Sequence, residues 1–178
     1  MELTKSIDDL LVNRAFFCSE NGAVINTGLG FGAKPGIECV RRMMEDYDHA
    51  TFVYKREDGN KALLDMTTCP VRNTKALSYL IGDTPNFNIA YSQDGILFLP
   101  RDWFCPLDYS TLLPKYRTAN TRGIHWFAGS WYSKDQIKKR KHDWIKQMPI
   151  RFVIRVMGFK KYGILKQYIN IFLRSLKA

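Results

Sequence analysis

The sequence lacks any long uninterrupted apolar segment. No stretch approaches the ~20 apolar residues that a membrane-spanning helix needs. The first residues, "MELTK", also lack the basic-then-apolar pattern of a secretion signal. We therefore expect a protein that is cytoplasmic, or that is attached peripherally to the cytoplasmic face of a membrane.

Cysteine and histidine are scarce, with four and three residues respectively. No two cysteines have CxxC spacing, and the histidines do not complete a zinc-like pattern with them. This spacing predicts free thiols in a reducing compartment. The chain also lacks a Walker loop and a Ser/His/Asp order, and its GxGxG segment at 28–32 does not have the spacing of a dinucleotide fingerprint. The glycines of that segment instead predict a close approach of backbone to another group.

Acidic residues are nearly absent from the last part of the chain. Residues 134–178 contain 13 lysines and arginines and two acidic residues, a net charge of +11, whereas residues 1–133 carry −1. We therefore predict a body over 1–133 and a basic helical extension over 134–178. Ser133 and Gln136 match a capping box at the start of the extension, and Pro149 predicts an interruption.

The extension combines a basic stripe with a broad apolar arc from Ile150 onward. This pattern is typical of a helix that lies in the headgroup layer of an anionic membrane. Two alternatives remain open: a helix that packs on the body, and a nucleic-acid-binding segment. Nucleic acid is less favoured because the aromatic residues lie within the apolar arc and do not alternate with the basic ones.

The body mixes predicted strands and helices, which indicates an α/β fold with a mixed sheet. Strands are predicted at 14–19, within 22–33, at 95–100 and at 122–129. Helices are predicted at 34–48 and 67–82, starting at Pro35 and Pro70, and the second ends at Gly82. Their inward-facing residues are predicted to be Ile37, Val40, Met44 and Tyr47 in the first helix and Val71, Ala76, Leu77 and Leu80 in the second.

The segment "GIHWFAGSW", residues 123–131, concentrates unusual chemistry. Strand alternation would place Ile124 and Trp126 in the core and His125 on the other face, at the end of the strand. A neutral imidazole there suits a Mn²⁺-like metal or a phosphate oxygen, and Ser130 and Trp131 add donors for a diphosphate. The alternative is a buried histidine that is hydrogen bonded beside core aromatics.

A second candidate site precedes the helix at Pro70. Asp65 is followed by Thr67 and Thr68, and a helix N-terminus can bind an anion or a hydroxyl group. The alternative is a plain helix cap.

Four segments occur in an order that resembles a known family. "FFCSENGAVINTGLGFGAKPG", "DMTTCPV", "LPRDWFCP" and "GIHWFAGSW" are similar to the C-terminal half of the DXD-containing sugar transferases, which include capsular polysaccharide glycosyltransferases and yeast-type α-mannosyltransferases. The resemblance covers roughly residues 1–135. It implies a partial GT-A-type fold, a nucleotide-sugar donor, a glycan or lipid-linked acceptor, a divalent Mn²⁺ or Mg²⁺ ion and retaining hexosyl transfer.

The resemblance also assigns roles to individual residues. It implies that His125 binds the metal and that Ser130 and Trp131 close over the diphosphate. Thr68 and Pro70 match a turn near the reacting sugars. Asn26 matches the segment that lines the sugar pocket.

The sequence departs from the family pattern in three places. Trp126 stands where many members have a second histidine, and Cys69 where many have glycine. The family's Gly-Gly-x-Tyr-x-Asp-x-Asp motif, expected just before "MELTKSIDDLL", is absent, and the "DYD" at 46–48 is predicted to be surface at a helix end. We therefore expect a truncated transferase, or a non-catalytic partner or acceptor-binding subunit that needs a separate N-terminal half. A peripheral membrane-binding protein is a further alternative.

Overall fold

The structure, a computed structural model, describes residues 1–48, 50–54, 63–129 and 132–175. Within these residues the chain is a mixed α/β protein with six α-helices and three small sheets, which confirms the predicted class. The strands are β1 Glu2–Leu3, β2 Ala15–Cys18, β3 Phe31–Ala33, β4 Val53–Tyr54, β5 Leu63–Leu64, β6 Tyr91–Gln93, β7 Ile96–Leu99 and β8 Gly123–Ile124. The helices are α1 Asp8–Leu11, α2 Glu38–Asp48, α3 Cys69–Ala76, α4 Ser78–Ile81, α5 Lys134–Lys146 and α6 Met148–Ser175.

The chain divides into two compact units. The first unit comprises Met1–Pro106 and Arg117–His125, and the second comprises Leu107–Tyr116 and the residues from Trp126 onward. The first unit holds β1–β8 and α1–α4, and the second holds α5 and α6. The domain boundary at residue 133 stays a prediction.

The main sheet of the first unit has the strand order β3-β2-β7-β6. Strands β2 and β7 are parallel, and the two outer pairings are antiparallel, so the sheet is mixed as predicted. The β6–β7 hairpin turns at Asp94 and Gly95, whose φ angles of 52° and 74° are typical of a type I′ turn. All four residues of β2 are buried, as expected for a central strand that is covered on both faces.

Aromatic rings fill the core on one face of this sheet. The ring centroids of Phe17 and Phe98 are 6.1 Å apart, and Phe87 lies 5.7 Å from Phe98. Leu77 of the helical layer is fully buried in the same cluster. Burial of these large apolar side chains is the main favourable contribution to the folding of the unit.

The adjacent residue of β2, Phe16, points to the other face of the sheet. Its ring stacks on Phe104 with centroids 6.3 Å apart. Gly32 in the neighbouring strand β3 lies against the same ring, so closely that a Cβ atom at this position would collide with it. The predicted close approach at the Gly-rich segment is therefore confirmed at Gly32.

Helix α2 differs from its prediction in start and register. It begins at Glu38 and not at Pro35, because Pro35 and Gly36 form a turn in which Gly36 has a φ of 73°. Ile37 and Val40 face the core as predicted, but Met44 is 64% exposed. The inward positions belong to Cys39 and Met43, four residues apart on one helix face.

The predicted helix at 67–82 is two helices, α3 and α4, separated at Leu77, where ψ is close to zero. Leu77 and Leu80 are buried and Ala76 packs against the core, as predicted. Gly82 ends α4 with a φ of 73°, also as predicted. Val71 is 48% exposed, so its predicted inward position is wrong.

The strand predicted at 122–129 is much shorter than expected. Strand β8 consists of Gly123–Ile124 and pairs with β1. Ile124 is buried as predicted, but Trp126 is 47% exposed and Phe127 is buried. Phe127 has a φ of 52°, which is incompatible with an extended strand, so the alternation of faces does not continue past Ile124.

In the second unit, α5 begins with the predicted capping box between Ser133 and Gln136. Helix α5 ends at Lys146 and α6 starts at Met148, which confirms the interruption near Pro149. Helix α6 contains a second break at Gly158, where φ is 81° and ψ is 160°. Across the described residues, no helix combines the length and the apolarity needed to cross a membrane.

Candidate functional site at the carboxyl edge of the parallel strands

The parallel pair β2–β7 defines the edge at which the candidate residues of the first unit lie. Because the two strands run in the same direction, their carboxyl ends meet at one edge of the sheet. Glu20 lies two residues beyond β2, and Arg101 lies two residues beyond β7. In open α/β sheets, ligands bind outside the carboxyl ends of parallel strands.

Backbone and side-chain hydrogen bonds fix Asn26 at this edge. Its backbone N–H donates to the Cys18 carbonyl oxygen at 2.8 Å, and its Nδ2 donates to Glu20 Oε2 at 2.6 Å. Its Oδ1 accepts from the Gly28 N–H at 2.9 Å and thereby caps the short 3₁₀ turn Thr27–Leu29. The predicted sugar-pocket residue is therefore oriented by the end of β2 and by a carboxylate.

The N-terminus of α3, which contains Thr68 and Pro70, contacts the turn that follows Asn26. Thr27 Oγ1 lies 3.6 Å from Cys69 Sγ, and Asn73 Nδ2 donates to both atoms, at 3.0 Å and 3.2 Å. These contacts bring the Asn26 segment and the Thr68–Pro70 segment into one neighbourhood.

Thr68 occupies the N-cap position of α3 in an extended conformation. Its side chain makes no capping hydrogen bond in the described structure. Asp65 instead accepts from the Thr67 N–H at 2.8 Å. Thr68 is therefore not a plain side-chain cap, and the residue is exposed at the helix N-terminus.

His125 is anchored through its backbone N–H, which donates to the Phe104 carbonyl oxygen at 3.0 Å. Burial lowers the pKa of His125 below its usual range, the Glu20 carboxylate opposes this shift, and the Met1 ammonium group reinforces it. The imidazole is therefore neutral near pH 7, which is the form that binds metals. The Glu20 carboxylate therefore lies close enough to His125 to influence its pKa.

Arg101 and Cys105 belong to the same environment. Arg101 Nε donates to the Cys105 carbonyl oxygen at 3.4 Å, and Nη2 lies 3.8 Å from Sγ. Burial raises the pKa of the Cys105 thiol to about 11, an effect that Arg101 opposes and Glu20 strengthens. The thiol thus stays protonated at neutral pH and is not an activated nucleophile.

Glu20 and Arg101 were not among the site residues predicted from the sequence. A positional signal was present, because each residue directly follows a predicted buried strand, in "FFCSEN" and "FLPRDW". The pairing of those strands as parallel neighbours was not predicted, so their ends were not expected to meet.

Four of the six predicted site residues, Asn26, Thr68, Pro70 and His125, lie in the first unit. The other two, Ser130 and Trp131, lie outside the described residues. Among the residues that the structure describes, no three His, Cys, Asp or Glu side chains form a group able to hold a metal ion. His125 is therefore assigned as a single candidate ligand and not as part of a complete coordination shell.

Comparisons of the chain with protein-family models, with curated proteins and with solved structures give no match. The assignment of the site therefore depends on the contacts and charges described above.

Proposed function

We propose that the first unit forms one side of the donor site of a glycosyltransferase of the polysaccharide or capsule type, with a partial GT-A-type fold. The reaction would transfer a hexose from a nucleotide-sugar to a glycan or lipid-linked acceptor. The observation that supports this proposal is the Glu20–Asn26 hydrogen bond just beyond the carboxyl end of β2, next to the parallel strand β7, which is followed by Arg101. Burial lowers the pKa of His125, and the Glu20 carboxylate opposes this effect.

The residues divide into two chemical roles. Arg101 and His125 supply a cation and an imidazole next to the position of the leaving diphosphate, where negative charge builds up in the transition state. Glu20 and Asn26 form a hydrogen-bonded carboxylate–amide pair of the kind that binds sugar hydroxyl groups. Thr68 and Pro70 would border the sugars, and Ser130 and Trp131 would contact the diphosphate as the resemblance implies.

A divalent cation, Mn²⁺ or Mg²⁺, is the expected cofactor. When bound, it would neutralise part of the charge on the diphosphate. A neutral imidazole fits such an ion as a ligand, and His125 is the residue of this chain that we assign to it.

The decisive variant is His125→Ala in the natural gene product that contains these residues. We expect sugar transfer to fall by roughly 10²-fold, because the leaving group loses a stabilising contact. The matched control is His142→Ala, whose side chain is 65% exposed on α5 and lies in the other unit. Transfer at the wild-type rate in the His125 variant would refute this role.

The non-catalytic alternative makes a different prediction. A partner or acceptor-binding subunit would show no transfer of its own, but would raise the activity of a separately produced nucleotide-binding half. Mixing the chain with that half and measuring transfer before and after addition distinguishes the two cases.

We also propose that residues 134–178 attach the protein to an anionic membrane surface at its cytoplasmic face. The part of α6 after Gly158 supports this, because its apolar residues occupy a broad arc and remain exposed. Ile164, Tyr168, Ile171 and Phe172 are 48%, 69%, 65% and 62% exposed, respectively. At 100° per residue, Lys166, Asn170 and Arg174 cluster within a narrow polar sector outside that arc. An exposed apolar arc with a basic border matches an interfacial helix.

Vesicle flotation tests the attachment. We expect binding to vesicles that contain phosphatidylserine, weaker binding as salt is raised, and no binding to purely zwitterionic vesicles. Phe172→Ser should reduce binding, whereas Val12→Ser, a residue of the first unit that is 77% exposed, should not. Equal losses from both variants, or binding that is independent of anionic lipid, would contradict the proposal.

A further inference from the structure

Helix α5 of the second unit borders two adjoining cavities. One has a volume of about 550 Å³ and is lined on α5 by Lys139, Asp143 and Lys146 and on the neighbouring loop by Tyr109. The other has a volume of about 450 Å³ and is lined mainly by apolar groups, including Ile137. Both cavities lie within a single compact unit.

The two cavities share a wall made of Tyr132, Arg140 and Trp144. Arg140 and Trp144 are four residues apart on α5, so their side chains lie one above the other on the same helix face. Of the residues three or four positions from this pair, Gln136 and Gln147 line the first cavity, and Ile137 and Lys141 line the second. Helix α5 thus borders a basic cavity next to one that is lined mainly by apolar groups.

The shared wall is held in place by contacts within the unit. Arg140 Nη1 donates to the Ala128 carbonyl oxygen at 3.1 Å, and its guanidinium lies 5.6 Å from the centre of the Tyr132 ring. Gly129, with a φ of 63°, allows the preceding loop to pass so close to that ring that no Cβ atom would fit. The Arg151 guanidinium lies 4.8 Å from the centre of the Trp144 ring.

Charge makes the polar cavity suitable for an anion. Lys139, Arg140 and Lys146 line it against one carboxylate, Asp143, which lies 3.9 Å from His142 Nδ1. Within the described parts of the chain, no ion pair neutralises any of the three cations. A phosphate group in this cavity would therefore be surrounded by an excess of positive charge. The shared wall separates this position from the second, mainly apolar cavity.

We propose that these two cavities form a binding site for a phosphorylated lipid, with the phosphate in the basic cavity and the hydrocarbon chain in the apolar one. An isolated phosphate would use only the first cavity, and an uncharged hydrocarbon only the second. The occupant that uses both is an amphiphile whose phosphate is joined to a linear chain. This binding site belongs to the second unit alone, and the inference does not depend on the transferase proposal.

The test is calorimetric titration of the full chain with n-decyl phosphate below its micelle concentration, with inorganic phosphate and 1-decanol as the two partial ligands. We expect decyl phosphate to bind at least about tenfold more tightly than either, because only it fills both cavities. Equal affinity for inorganic phosphate would show a plain anion site, and equal affinity for decanol a plain apolar site; either result would overturn the proposal.

Three variants locate the binding. Arg140→Gln should weaken decyl phosphate binding by about tenfold, since it removes a charge-assisted contact. Because Arg140 also anchors a loop, Lys139→Gln, an exposed position, provides a second test with an expected loss of about threefold. Lys138→Gln on the same helix lines neither cavity and is the control. A loss from the control as large as that from Lys139→Gln would indicate non-specific charge attraction and overturn the proposal.

The transferase proposal and the lipid-phosphate site can be refuted independently of each other. Specific decyl phosphate binding in a protein without transferase activity would support this site and leave the donor-site proposal without support. Transfer activity without decyl phosphate binding would overturn this site and leave the donor-site proposal standing.

Discussion

The main sheet of the first unit and helix α6 of the second place phenylalanine in opposite environments. In the first unit, Phe17 and Phe98 are 0% and 1% exposed, packed between the sheet and its helices. In the second, Phe152 and Phe172 are 69% and 62% exposed on α6. Apolar composition alone therefore does not determine burial; the element on which an apolar residue lies and the layers available to cover it do.

The charge distribution changes in parallel. Residues 1–133 carry a net charge of −1, whereas residues 134–178 carry +11. In the first unit, burial of apolar surface stabilises the fold itself. In the second, exposed apolar surface beside many cations is suited to an external anionic and apolar partner.

The sharpest test of this comparison is to truncate one phenylalanine in each unit. Phe98→Ala should lower the free energy of unfolding by about 3–5 kcal/mol, because it leaves a cavity among Phe17, Phe87 and Tyr91. Phe172→Ala should change it by no more than about 0.5 kcal/mol. Urea unfolding followed by circular dichroism measures both, and similar losses would show that the exposed arc of α6 also stabilises the fold.

Two glycines extend the comparison to backbone sites. Gly32→Ala forces a methyl group against the Phe16 ring and should cost about 1–3 kcal/mol. Gly163→Ala in α6 meets no atom within 4 Å and should stabilise that helix by about 0.5–1 kcal/mol, since alanine is the better helix former. Thermal unfolding measures both variants, and we expect a lower Tm for Gly32→Ala and a higher Tm for Gly163→Ala. Shifts of Tm in the same direction would contradict the comparison.

Local patterns predicted the ends of elements well where one residue type determines the backbone. Gly82 ends α4, the Ser133 capping box starts α5, and the helix breaks near Pro149. Each of these signals acts through its own backbone angles or hydrogen bonds, so no distant contact is required. The helix start predicted at Pro35 is wrong for an equally local reason, because Gly36 directly after it favours a turn.

Predictions of which side chains face the core were less successful because they depend on tertiary packing. Met44 and Val71 have suitable spacing but are exposed, and Trp126 lies past the point where β8 ends. The functional edge was missed for a related reason. Glu20 and Arg101 are far apart in sequence and follow strands that end at the same edge of the sheet only because β2 and β7 pair in parallel. Sequence periodicity carries no information about such a long-range pairing.

Helix caps supply a smaller test in each unit. Ser133→Ala removes the side-chain acceptor of the Gln136 N–H and should cost about 1 kcal/mol, localised to the first turn of α5. Thr68 occupies the equivalent cap position of α3, but its side chain makes no such hydrogen bond. We therefore expect Thr68→Ala to change the stability little. Amide hydrogen exchange at 136–137 and 71–72 reports the two turns, and faster exchange in both variants would contradict the assigned difference.

The smallest expected effect is a pH dependence confined to the first unit. Burial holds the pKa of His125 below its unfolded value, so protons bind the unfolded state more readily than the folded one. The contribution of His125 to the free energy of unfolding should thus be fully present above the usual histidine pKa of about 6.5. It should be lost as the pH falls through the lowered folded-state pKa. His125→Gln should flatten this decline relative to the wild-type protein when urea unfolding is measured over a range of pH. If the variant kept the wild-type pH profile, the partly buried imidazole would not be the group that titrates, and its assignment as a neutral ligand would lose its physical basis.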